Sequence, residues 1–111
     1  MKAELTLVLK STVNVYQTLE AIKNDGFNAT VASTESLRHA TDYYEGDHHF
    51  LGLRHLEAAQ RMENVLCLFV VDQERLEKLK DSIRRHTGNF NDVHGFMYSH
   101  PIEDFEGSIH G

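Results

Sequence analysis

One succession of segments occurs twice along the sequence: an apolar strand pattern, an amphipathic helix pattern, a glycine and a second strand pattern. Leu7 in the first strand pattern lies 19 positions before Gly26, and Leu68 in the third lies 20 positions before Gly88. The residue identities differ between the halves, so the repeat is one of pattern. Two strand–helix–strand units of matched length leave few compact arrangements, because crossover connections are right-handed.

The first half begins with leucines at positions 5, 7 and 9 that alternate with other residues, which is typical of a strand over residues 4–10. A helix is expected next, because Val15, Leu19 and Ile22 fall on one helical face. The polar residues at 11, 12 and 14 are suited to cap its start. Gly26 is suited to the left-handed position that ends a helix, and a second strand is predicted over residues 27–33.

The second half contains the longest apolar run, Val65–Val71, which predicts a central strand. Asp72 is expected to cap the next helix, with a buried stripe at positions 76, 79 and 83 and Gly88 as its end. The last strand is predicted over residues 93–98, ended by Pro101.

These elements predict a single α+β domain over residues 1–111. Its fold would be a ferredoxin-like βαββαβ sandwich, with a four-stranded antiparallel sheet and both helices on one face. Residues 38–64 would form a long insertion between the second and third strands, and we expect this segment to be a mobile, functional loop.

The central run also predicts self-association. Leu66, Leu68 and Val70 alternate with apolar residues at 65, 67, 69 and 71, so both faces of this strand are apolar. Helices would cover only one face of the sheet, and a large exposed apolar face is unusual on a monomer. We therefore expect another copy of the chain to cover the open face.

Composition excludes several classes of protein. Seventeen acidic against 11 basic residues give a net charge of −6, which argues against nonspecific nucleic-acid binding. The longest apolar run is too short for membrane insertion, and no signal-peptide pattern is found. The single cysteine, Cys67, lies in that run and predicts a buried thiol in a reducing cytoplasm. No nucleophile or phosphate-loop motif is present, so we expect a binding protein and no enzyme.

Three stretches carry a resemblance to known proteins: Gly26–Thr30 (GFNAT), Phe69–Leu76 (FVVDQERL) and Phe96–Phe105 (FMYSHPIEDF). They resemble proteins of the PII-like superfamily, which includes the nitrogen-regulatory PII proteins, the cyclic di-AMP receptors and the CutA-type proteins. They are most similar to the cyclic di-AMP receptor branch. The stretch Ser33–Arg38 departs from that branch, because it lacks a glycine pair and contains Glu35.

The resemblance implies a homotrimer that binds a small anionic, nucleotide-type ligand in clefts between subunits. The loop at 38–64 would change conformation on binding and so signal to a regulated protein. The residues that the resemblance places at the ligand are Phe27, Thr30, Arg38, Arg84, Arg85 and Gly88.

Two alternatives remain open. His48, His49 and His55 lie in the insertion beside Asp47, and imidazole with carboxylate can bind Zn²⁺ or Cu²⁺. Their spacing matches no closed zinc motif, and solvated loop histidines are the simpler explanation, but the resemblance to CutA-type proteins makes a metal-binding trimer an alternative. The other alternative is an interaction module without a small ligand.

Overall fold

The computed structural model describes residues 1–38, 40, 41 and 64–108. Most of the predicted loop, with its histidines at 48, 49 and 55, therefore lies outside the described residues. The elements in chain order are β1 (Lys2–Lys10), α1 (Val15–Asn24), β2 (Thr30–Thr34), β3 (Asn64–Asp72), a 3₁₀ turn (Gln73–Arg75), α2 (Leu76–Thr87) and β4 (Gly95–Ile102).

The four strands form one antiparallel sheet in the order β2-β3-β1-β4. The alternating leucines of β1 face the helices: Leu5 lies opposite Phe69, and Leu7 opposite Cys67. These side chains form one buried cluster with residues of both helices, so α1 and α2 cover the same face. The predicted ferredoxin-like βαββαβ sandwich is confirmed.

The helices are held on the sheet by their apolar faces. Leu79 and Ile83 of α2 are fully buried, as predicted, and so is Val15 of α1, with Ile22 1% exposed. Burial of one such side chain contributes about 1.5–3 kcal/mol. Leu19 is only partly buried, and Thr18 occupies the more buried position on α1.

Glycines end the helical segments as predicted, and Asn14 and Asp72 occupy the N-cap positions of α1 and of the 3₁₀ turn, but neither side chain makes a cap hydrogen bond. Gly26 has φ +100° and Gly88 has φ +60°, both in the region that disfavours other residues. The Asp72 carboxylate makes no cap hydrogen bond, because it accepts a hydrogen bond from Lys2 Nζ instead. Asn14 also makes no side-chain cap bond.

Two strand boundaries differ from prediction. The second strand begins at Thr30 rather than at residue 27. The last strand begins at Gly95 and continues through Pro101 to Ile102. Because β4 is an edge strand of the sheet, it can contain a proline whose nitrogen faces away from its neighbour. Gly95 lies against β1 so closely that a Cβ there would be 2.0 Å from the Val8 carbonyl oxygen.

The face of the sheet that α1 and α2 leave open is apolar, as predicted. Leu68 is 39% exposed, Phe96 54% and Tyr98 56%, and the two aromatic rings stack with centroids 6.4 Å apart. Val8 lies between Leu66 and Phe96 in the sheet register. We call this surface the open face. No helix of the described residues is long and apolar enough to cross a membrane.

Candidate functional site

The register brings the two ends of the long insertion and the turn after α2 to one end of the sheet. Thr34, where β2 ends, pairs with Asn64, where β3 begins, and Asn64 pairs with Lys10. The backbone N–H of Lys10 donates a 2.8 Å hydrogen bond to the carbonyl oxygen of His94, just before β4. We call this region the loop end of the sheet.

The turn after α2 is rigidly closed on itself. Gly88, Asn89 and Phe90 all have positive φ, and the buried hydroxyl of Thr87 donates to the Ile83 carbonyl at 2.7 Å. The backbone N–H groups at 88–93 donate to the oxygens of Arg84, Thr87 and Gly88. These N–H groups are therefore already used, so an anion at this turn must be held by side chains.

Two sources of negative charge lie at that turn, the Asp92 carboxylate and the end of the α2 helix dipole. A Cβ at Gly88 would lie 2.2 Å from Oδ2 of Asp92, so the carboxylate of Asp92 sits directly over the glycine. The last turn of α2 also presents the partial negative end of the helix dipole. Both features repel an anion, so any anion bound there must be held by basic side chains.

The paired arginines of α2 have different partners. Arg84 forms a 3.0 Å ion pair with Asp81, and both side chains are substantially exposed. Such a surface pair contributes only about 0–1 kcal/mol, so a phosphate group could replace Asp81 as the partner. Arg85 instead turns towards α1 and donates to Oδ2 of Asp25. Only Arg84 is therefore available to a ligand at low cost.

Asp25 joins the end of α1 to α2. Its Oδ2 atom accepts from Ser82 Oγ at 2.7 Å and from Arg85, and His86 Nε2 lies 2.8 Å away. Hydrogen bonds from Ser82, His86 and Arg85 lower the pKa of Asp25 to about 2. Both Arg85 and His86 thus contribute to the helix–helix contact.

The remaining predicted ligand residues lie apart. Thr30 is exposed on β2 in the same row of the open face as Leu68. Arg38 is exposed four positions after β2 ends. Phe27 lies at the opposite end of the sheet from Gly88, beside the start of α2. The six predicted residues therefore do not meet in one copy of the chain, and Thr30 and Arg84 lie on opposite faces of the sheet.

A groove that the sequence did not predict contains Phe27. The Arg75 guanidinium lies 4.6 Å from the centre of the Phe27 ring, and its Nη2 donates to the Gly26 carbonyl at 3.3 Å. Two adjoining cavities, of about 270 and 460 Å³, share these two side chains. We call them together the Phe27–Arg75 groove. Its other lining residues are Lys2, Asp25, Gly26, Asn28, Val70, Val71, Asp72, Lys78, Asp81, Ser82 and Arg85.

Sequence patterns could not have located this groove. Arg75 and Gly26 are 49 positions apart. Arg75 belongs to the stretch Phe69–Leu76, in which only the family resemblance indicates a function. The one available signal was that Arg75 and Lys78 have the i, i+3 spacing of a single helical face.

Among the residues that the structure describes, no group of three or more histidine, cysteine or acidic side chains could hold a metal ion. The predicted ligands His48, His49 and His55 lie outside that part of the chain, so the metal alternative stays a prediction. Cys67 is buried, and this burial raises the pKa of its thiol to about 11.

Comparison with known proteins identifies no family. No family model matches the chain, and no curated protein matches it. Among solved structures, the chain is similar to the structure of CPII bound to ADP and bicarbonate, from Thiomonas intermedia K12. The two are 13% identical in sequence, with a TM-score of 0.48, over 89% of this chain and 83% of that chain. A likeness of this size assigns neither a family nor a ligand to this chain.

Proposed function

We propose that this chain is a PII-like regulatory protein that assembles through its open face and binds a nucleotide-type anion between copies. The ligand would lie at the loop end of the sheet, and residues 38–64 would transmit its presence to a partner protein. The chain would act by binding, with no catalytic step.

The open face supports the assembly. Leu68 on the central strand β3 and the aromatic side chains of Phe96 and Tyr98 on the edge strand β4 remain 39–56% exposed. Exposed aromatic and aliphatic groups of this kind are stabilised when a second surface removes them from water. A trimer is the assembly that the family resemblance implies.

One observation supports a ligand between copies. Thr30 lies on the open face of the sheet, whereas Arg84 lies on α2, which covers the other face. A small ligand that contacts both of these predicted residues cannot do so within a single copy. Contact with both requires Thr30 of one copy and Arg84 of another.

The geometry of the loop end supports the link to residues 38–64. Thr34, Asn64, Lys10 and the turn before β4 are joined by consecutive backbone pairings. A ligand held by Arg84 beside that turn would therefore lie at the same end of the sheet as the two strands that flank the insertion, with β1 and β3 between the turn and β2. Because the N–H groups of the turn are used internally, we expect Arg84, Arg38 and Lys10 to supply the positive charge.

A thermal-shift panel of adenine and guanine nucleotides, including cyclic dinucleotides, tests this proposal. A ligand at 100 times its Kd stabilises the folded protein by about 2.7 kcal/mol, which is readily measured. We expect at least one nucleotide to raise the melting temperature, and Arg84→Ala and Thr30→Val each to abolish most of that rise.

Lys80→Ala is the matched control, because Lys80 lies on the same helix and pairs with Glu77 away from the loop end. The control should respond to the nucleotide as wild type does. If no nucleotide stabilises the wild-type protein, the nucleotide proposal is wrong. An equal loss of response in all three variants would show that the effect does not depend on this site.

A further inference from the structure

We propose that the Phe27–Arg75 groove is a second binding site, for a small anion that presents a carboxylate or phosphate group. This site does not depend on the nucleotide proposal, because none of its lining residues belongs to the loop end. The smaller cavity, with Lys2 and Asp72, lies at the start of α2, and the larger one extends along α2 as far as Ser82 and Arg85.

The charges in the groove are the first argument. Each of its three carboxylates has a cation of its own: Asp72 pairs with Lys2, Asp25 with Arg85, and Asp81 with Arg84. Asp25 is further neutralised by hydrogen bonds from Ser82 and His86.

Two cations in the groove are left over. Arg75 and Lys78 form no salt bridge with a carboxylate among the described residues, although both line the larger cavity and Arg75 is close enough to Asp72 to help lower the pKa of that carboxyl. The side chains that line the groove carry four positive and three negative charges, an excess of one positive charge in a chain whose net charge is −6. An anion would complete the pairing.

The orientation of Arg75 is the second argument. Stacking on Phe27 and the hydrogen bond to the Gly26 carbonyl fix the plane of its guanidinium before any ligand binds. Only one of its five N–H donors is used in that contact, so others can bind two oxygens of one ligand side by side. A fixed guanidinium loses less side-chain entropy on binding than a mobile one.

The third argument is the position of Lys78 relative to Arg75. The two residues are three apart at the start of α2, which places their side chains on neighbouring parts of one helical face. Ser82 and Arg85 continue that face along the larger cavity. A ligand with two oxygens on Arg75 could thus place a further oxygen near the Lys78 ammonium group.

Titrations with inorganic phosphate and with succinate, followed by amide chemical shifts of the ¹⁵N-labelled full chain, test the proposal and separate the two ligand chemistries. We expect one or both anions to shift the amides of Gly26, Phe27, Asp72 and Arg75 in a saturable manner. Arg75→Gln and Lys78→Gln should each weaken that binding at least about tenfold, since a hydrogen bond to a charged group is lost.

Lys80→Gln is the matched control, because Lys80 lies on α2 but lines neither cavity, and its affinity should equal that of wild type. Lys78→Gln alters an exposed side chain and keeps the test valid if Arg75→Gln does not fold. The proposal is wrong if neither anion shifts these amides, if the shifts do not saturate, or if Lys78→Gln and Lys80→Gln weaken binding equally.

Discussion

Gly88→Ala tests the geometry of the turn after α2, which the nucleotide proposal requires. Gly88 has φ +60°, and for alanine this left-handed conformation costs about 1–2 kcal/mol. The new Cβ would also lie 2.2 Å from Oδ2 and 2.7 Å from Cγ of Asp92. Asp92 must then leave its preferred rotamer, at a further cost of about 0.5–1.5 kcal/mol. We expect a total loss of about 2–3 kcal/mol.

A double-mutant cycle separates these two costs. Asp92→Ala removes both colliding atoms and leaves the Cβ of residue 92 at 3.3 Å, a tight contact that a shift of a few tenths of an ångström relieves. Alone, Asp92→Ala should change the free energy of unfolding by less than about 0.5 kcal/mol, because Asp92 is exposed. Gly88→Ala in the Asp92→Ala background should therefore cost only the backbone strain of about 1–2 kcal/mol.

Urea denaturation followed by far-ultraviolet circular dichroism measures all four proteins. One protein concentration must be used throughout, because self-association makes stability concentration-dependent. The reasoning is refuted if Gly88→Ala is neutral, or if it costs as much in the Asp92→Ala background as in wild type.

Three further predictions concern the hydrogen bonds of Asp25, the open face and the buried thiol. Because the pKa of Asp25 is lowered from 3.8 to about 2, its stabilisation is present above pH 4 and is lost as the pH falls towards 2. The urea midpoint of Asp25→Asn should therefore decline less than that of wild type over this range, and parallel profiles would contradict the assignment. Leu68→Lys should convert the assembly to monomers in sedimentation velocity. The control Val13→Lys, at a site 95% exposed and away from the sheet, should leave the assembly intact. Equal behaviour of the two variants would contradict assembly through the open face. Cys67 should react with a disulfide reagent only on unfolding, because burial raises the pKa of its thiol to about 11, and rapid reaction of the native protein would contradict that burial.

The parts of the fold that the sequence predicts are those set by local periodicity. The alternating leucines of β1 and the run at Val65–Val71 identify strands, and they also identify the face that stays open. Gly26 and Gly88 mark helix ends because a positive φ is a local requirement. These features depend on residues close together in the chain, so they can be predicted without tertiary information.

The sequence does not reveal the partners of side chains when those partners are distant along the chain. Asp72 appeared suited to cap α2, but Lys2, 70 positions away, takes its carboxylate. Arg85 appeared suited to a phosphate, but it lies against Asp25, 60 positions away. A polar side chain can satisfy several partners equally well, and the pairing of β1 with β3 and the packing of α1 on α2 determine which partner Asp72 and Arg85 meet.

The same reason explains why the candidate site was predicted only in part. The family resemblance predicts Phe27 as a ligand residue, yet its neighbour Arg75 could not be identified from any local pattern. Thr30 and Arg84 were expected at one ligand, and the structure places them on opposite faces of the sheet. One small ligand could contact both residues only if Thr30 came from one copy of the chain and Arg84 from another.

Hydrogen exchange measured by mass spectrometry, with and without the nucleotide that stabilises the protein most, tests the central claim most directly. The account predicts slower exchange in peptides that cover residues 84–94 and both ends of the 38–64 segment, with Arg84→Ala removing the effect. Unchanged exchange with every nucleotide would contradict the account, and so would protection confined to residues 25–28 and 70–78, which line the Phe27–Arg75 groove.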